Sequence, residues 1–188
     1  MSLENEPLYV SLARRERREH IVSAAKMLLG AYVGNDFDPV HSLLCPVDVV
    51  MVAGAPWLRD GLEKDFSKDE AGYRKIGGGA NTPNMPYFFR SVINLIHYLK
   101  RQGFYIPRGT AKPAIGMVCF FDWDDRGRFN FTPDRSGIVI NIDKDQVTEA
   151  VLAIREVDAD KSGITVRHLH IKPEDPVDRA LIGYSDLP

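Results

Sequence analysis

The sequence predicts an α+β domain in which N-terminal helices pack on a mostly antiparallel sheet. Apolar residues recur at helical spacing through the first half of the chain. After Gly103 the pattern changes to period two and becomes rich in β-branched and aromatic residues. Helices therefore come first and strands after, which segregates the layers instead of alternating them as a parallel-sheet fold would. The 188 residues suffice for one domain with a real core, and no internal repeat or second domain is visible.

Residues 1–11 read as a flexible tail. Residues 12–29 follow as an amphipathic helix, with Ile21, Ala24, Ala25, Leu28 and Leu29 on one side and Gly30 as its stop. Its first turns carry Arg14, Arg15, Arg17 and Arg18. With Glu16 and Glu19 beside them, these form either a solvated face or an anionic contact patch. A loop through Gly34, Asn35, Asp36 and Pro39 leads to a second helix that starts near Cys45 and runs to about Ala53, before Gly54 and Pro56.

Residues 57–86 read as irregular, with a triple glycine at 77–79 and prolines at Pro83 and Pro86, so they are expected to form a cleft wall or lid. The triple glycine lacks the Gly-Lys-Ser/Thr ending of a phosphate loop. A third helix is predicted at 87–102. Phe88, Val92, Leu95, Ile96 and Leu99 line its buried face, His97 lies near the outer one, and Gly103 ends it. Strands are predicted at 115–121, 136–142, 150–157, 164–171 and 180–184, the third and fourth joined by a hairpin at 158–163.

Composition narrows the function classes. A formal net charge of -2 gives no global field toward nucleic acid. No run of 18 apolar residues exists, so no membrane span is predicted. Two cysteines, Cys45 and Cys119, make no disulfide framework. No export signal is legible. The compartment stays open, an extracytoplasmic one being allowed if a leader is removed.

Cys45 is the residue richest in chemistry. In Leu43-Leu44-Cys45-Pro46-Val47-Asp48-Val49-Val50 a loop runs into a helix with proline at its first position, where the missing N–H costs nothing. A thiol there meets free N–H groups and the positive end of the helix dipole, which favour a thiolate. The plain alternative is a small apolar residue packed at a helix start. Cys119, in Met117-Val118-Cys119-Phe120-Phe121, reads as a buried hydrophobe. Asp122, Asp124 and Asp125 read as a solvated turn.

Asp158-x-Asp160-x-Ser162-Gly163 begins like a calcium loop, but Leu169 stands where the bidentate glutamate belongs. His168 and His170 alternate along one strand and so share a face, which also carries Ile164 and Val166. They read as structural histidines, as a catalytic base, or as two ligands of a metal whose third ligand would be Asp175 or Asp178.

The stretch from Ile21 to Val50 resembles the opening of the NlpC-type hydrolases, bacterial cell-wall enzymes of papain-like fold, in which a helix and a loop precede a cysteine at a helix start. Lys112-Pro113-Ala114-Ile115-Gly116-Met117-Val118-Cys119-Phe120-Phe121-Asp122 resembles a drifted version of the family's Pro-Gly-Asp-Leu/Ile stretch at its first core strand. Arg135-Ser136-Gly137-Ile138-Val139-Ile140 resembles its second strand, and Ala180-Leu181-Ile182-Gly183-Tyr184 its closing one. The resemblance spans most of residues 21–184 and is nearest to uncharacterised branches of the superfamily.

The resemblance implies a papain-like cysteine hydrolase of amide bonds in cell-wall peptides, with no cofactor and a peptide or glycopeptide as ligand. Cys45 would be its nucleophile and Arg135 and Asp48 substrate contacts. The family's base belongs at Arg135, where a permanently protonated guanidinium cannot serve. The base would then be His168 or His170. The family's orienting residue falls at Arg155, also no acceptor. A relative that binds its ligand without turnover is the competing expectation.

Overall fold

Helix α1 spans Leu8–Met27 and buries Ile21 and Ala25. It is the first element of a computed structural model that describes residues 8–30, 32–33, 48–76, 91–122, 133, 135–143, 146–157, 162–172 and 176–188. Helix therefore begins inside the stretch expected to be a flexible tail. Arg14, Arg17 and Arg18 of α1 form neither a solvated face nor an open anion patch. Arg14 and Arg18 pair with Asp186 at 3.3 and 2.7 Å, and Arg17 Nη1 donates to the Leu187 carbonyl at 2.8 Å. Arg15 alone follows the local expectation, pairing with Glu19 one turn on.

The second helix, α2, is described over Asp48–Ala53, with Val49, Val50 and Ala53 fully buried. It ends where the sequence said it would. The next segment does not behave as expected. Instead of an irregular lid, Ala55–Lys68 forms α3 and Glu70–Ile76 forms α4. Pro56, taken as part of a break, lies in the first turn of α3, where proline's fixed φ suits the helix. Leu58, Leu62 and Phe66 recur four residues apart and bury one face. The expected lid's remainder, 77–86, lies outside the described residues.

Ser91 caps α5 (Val92–Arg101) by accepting the Asn94 N–H. The helix ends at Gly103, whose φ of +76° permits the Phe104 N–H to reach the Leu99 carbonyl at 2.9 Å. Val92, Leu95, Ile96 and Leu99 are buried as the spacing predicts.

A polar network ties these three helices together. The Tyr73 hydroxyl donates to Asp65 Oδ2 at 2.5 Å, Arg101 Nε lies 2.9 Å from the same oxygen, and Arg101 Nη1 is 2.8 Å from Asp69. Burial and the Asp65 carboxylate hold the proton on Tyr73. His97 is not the surface histidine expected. Its ring stands edge-on to Tyr73 at 4.7 Å, and its Nε2 is buried with no hydrogen-bond partner among the described residues.

Burial first, and the Arg101 charge second, hold the His97 pKa below its usual value. The unfolded chain then binds this proton more readily, so stability falls as pH drops below the unfolded value of about 6.5. Urea midpoints at about pH 7.5 and about pH 5.5 should show a smaller acid loss in His97→Phe than in the parent, because the variant has no such proton to bind. Equal losses would exclude His97 as the source.

The strands are β1 (Tyr32–Val33), β2 (Tyr105–Pro107), β3 (Val118–Phe121), β4 (Arg135–Asp143), β5 (Gln146–Val157), β6 (Ser162–His170) and β7 (Leu181–Ser185). A short helix, α6 (Pro176–Ala180), precedes β7. The strands form one sheet in the order β1-β6-β5-β4-β3-β7-β2, every pairing antiparallel. The protein is thus α+β with helices against an antiparallel sheet. The two-residue β1 and three-residue β2 fall at the edges and were not predicted. The expected strand at 115–121 is a turn until Val118, with Gly116 at φ +89° lying so close to α1 that a Cβ would meet Arg18 Cβ at 2.5 Å.

Alternation gives the sheet two apolar faces. Val118, Phe120, Ile138, Ile140, Val151 and Val166 pack in one cluster with α1 to α5. Cys119, Phe121, Val139, Ala150 and Tyr184 belong to a second cluster, on the opposite face, with Ile171 and Ala180. Cys119 is fully buried as expected, and burial pushes its thiol up to about 12, so it is an inert core residue. Asp122 is buried, not solvated, with its N–H bonded to the Ala180 carbonyl.

Candidate functional site

The β5–β6 hairpin builds the one metal-competent cluster found among the described residues. Val157 pairs with Ser162 at its tip, so the ladder sets Val151 opposite His168 and Glu149 opposite His170. Val151 and Val166 belong to the helix-side cluster, whereas Ala150 and Leu169 belong to or pack on the other. Strand alternation therefore puts Glu149, His168 and His170 together on the helix side of the sheet. Toward Val166 this face is closed. At the histidines it opens, and the side chains of Glu149, His168 and His170 are 24%, 35% and 63% exposed.

Glu149 gathers the two imidazoles. His168 Nε2 lies 3.0 Å from Oε2, and His170 Nδ1 lies 3.5 Å from Oε1. The rings are 4.8 Å apart and inclined by 37°. In the tautomer with the proton on Nε2, His168 donates to the Glu149 carboxylate and keeps its lone pair on Nδ1. A carboxylate that fixes the tautomer and stabilises the imidazolium is what a general base requires. The same donors, stripped of protons, are those of a transition-metal site.

The sequence-derived residues distribute unevenly around this pair. His168 and His170 share a face as expected, and Val166 on that face is buried. Neither expected third ligand joins them: Asp178 pairs with Arg108 at 2.9 Å, and Asp175 lies outside the described residues. The candidate nucleophile Cys45 also lies outside them. Asp48 opens α2, and only its backbone is described. Helix α2 packs against α1, β4 and β5, and its Val49, Val50 and Ala53 share a cluster with Val151, the ladder partner of His168.

Arg135 is 6% exposed and opens β4 opposite Phe121. Phe121 and Val139 belong to the second cluster, so Arg135 starts from the sheet face away from α2 and from the histidine pair. Ser136, beside it, takes the helix-side position and is fully buried. The calcium-like loop joins two paired strands, as its rejection required, although residues 158–161 themselves lie outside the described set.

Sequence reasoning missed Glu149 by one residue, because the strand was predicted to start at 150. The expected hairpin loop at 158–163 would pair 157 with 164, whereas the observed ladder pairs Val157 with Ser162, and it is this register that sets Glu149 against His170.

Comparison with known proteins adds no relative: no family model, no curated protein and no solved structure matches the chain. Among the described residues no helix is long and apolar enough to cross a membrane.

Proposed function

We propose that this chain is a divergent cysteine hydrolase of amide bonds, of papain-like NlpC type, acting on cell-wall peptides. The observation that carries the reading is the His168–Glu149 pair, an imidazole held at 3.0 Å by a carboxylate on the sheet face over which α2 packs. The reading assigns the thiol to Cys45, three residues ahead of α2. It supplies from β5 the orienting acceptor that Arg155 cannot provide.

In this scheme His168 takes the Cys45 proton and the thiolate attacks the scissile carbonyl carbon. Backbone N–H groups at the start of the Cys45 helix donate to the oxyanion. The imidazolium returns its proton to the leaving amine as the C–N bond breaks, leaving a thioester. His168 then deprotonates a water that attacks the thioester, releasing the acid and restoring the thiol.

The competing reading is a relative that binds peptide or glycan without turnover. It is favoured by Arg135, which stands where the family's histidine is expected.

The test is the pH dependence of Cys45 alkylation by iodoacetamide in a Cys119→Ala background. An apparent pKa well below the model value of about 8.5 is expected, moving upward in His168→Ala. An ordinary or raised value that ignores His168 removes the hydrolase reading and leaves the binding one.

A further inference from the structure

We propose that Glu149, His168 and His170 form a binding site for a single divalent cation of the zinc class. This inference goes beyond the proposed hydrolase and does not depend on it. Each residue offers one ligand atom, and these atoms lie within 4.8 Å of one another. Ligands bound at about 2.0–2.2 Å in a tetrahedral site are roughly 3.3–3.6 Å apart. His168 Nε2 is 3.0 Å from Oε2 of Glu149 and His170 Nδ1 is 3.5 Å from Oε1, so each imidazole is already close to that range from one carboxylate oxygen, and the three ligand atoms need only draw in from 4.8 Å to share one ion.

The scaffold suits the task. All three ligands stand on one antiparallel ladder, with Glu149 directly opposite His170 and diagonal to His168, two residues along. Paired strands hold such positions more firmly than a loop does. Two imidazoles and one carboxylate favour zinc, copper, nickel or iron over calcium and magnesium, which seek oxygen alone. Partial exposure gives an ion an entry path and leaves room for water as a further ligand, the form of an open site and not of a closed structural one.

Binding would consume the lone pairs of both histidines, so zinc and a free His168 base exclude each other. His170→Ala separates the two ideas, because it deletes a ligand while keeping the His168–Glu149 pair. Metal-free protein titrated with Zn²⁺ in a calorimeter should bind one equivalent. Glu149→Gln, His168→Ala and His170→Ala should each weaken that binding at least about tenfold. These side chains are partly exposed, and circular dichroism checks that each variant is folded. Cobalt substitution gives a second readout, with visible bands of tetrahedral intensity in the parent that fade in His170→Ala. Absence of saturable zinc binding, or binding that none of the three substitutions alters, overturns the proposal. Loss of zinc binding in His170→Ala with cysteine alkylation unchanged supports it without touching the hydrolase reading.

Discussion

Phe120→Ala lowers the free energy of unfolding by about 3–5 kcal/mol, the range found when a large aromatic ring is removed from a core that relaxes only in part. Phe120 is fully buried in β3, a strand paired on both sides, with β4 and β7. Its ring lies in the cluster between sheet and helices and packs against Tyr105 at 5.9 Å. Helices cover this face and every neighbouring strand is hydrogen-bonded, so the cavity has little means of collapse. Urea denaturation with an unchanged slope reads the effect. A loss below about 1 kcal/mol, as small as a single buried methylene, would mean that the face is loosely packed.

Asp65→Ala is the second large effect, at about 2–3 kcal/mol. Asp65 is 8% exposed and accepts from Tyr73, while Arg101 pairs with the same carboxylate. Removing it takes away the acceptor of the buried Tyr73 hydroxyl. The Arg101 component counts for less, because that guanidinium is 37% exposed and water screens it. Tyr73→Phe removes the other end of the same hydrogen bond and costs about 1 kcal/mol. In the double variant the two losses should fall short of additivity by at least about 0.5 kcal/mol. Strict additivity would show that the short contact contributes nothing to stability.

These two sites also show what was legible in the sequence. Phe120 lies in an unbroken apolar run, and such runs announce a strand buried on both faces. The helix-then-strand order, the five main strands and the α5 face were likewise readable from periodicity. Asp65 was not readable, because it lies within the stretch assigned to a lid. Glycine and proline dominated that assignment and hid the four-residue spacing of Leu58, Leu62 and Phe66. Edge strands of two and three residues carry too little pattern to be seen. The site divides in the same way. The shared face of His168 and His170 follows from period two alone, whereas Glu149 depends on register, a property of two strands together. The same holds for Arg14, Arg17 and Arg18, whose partners lie in the last residues of the chain.

The clasp between Arg18 and Asp186 spans 168 residues of sequence. A ribosome adding residues at ordinary speed takes roughly ten to thirty seconds to cover that distance. For that interval Ile21 and Ala25 have been made, but neither the sheet they pack on nor the acid that fastens their helix is complete. The nascent chain therefore holds α1 without its acid clasp and without the strands it packs on for that interval. Yield in a cell should then depend on how well that segment is shielded during translation, as well as on the stability of the finished fold.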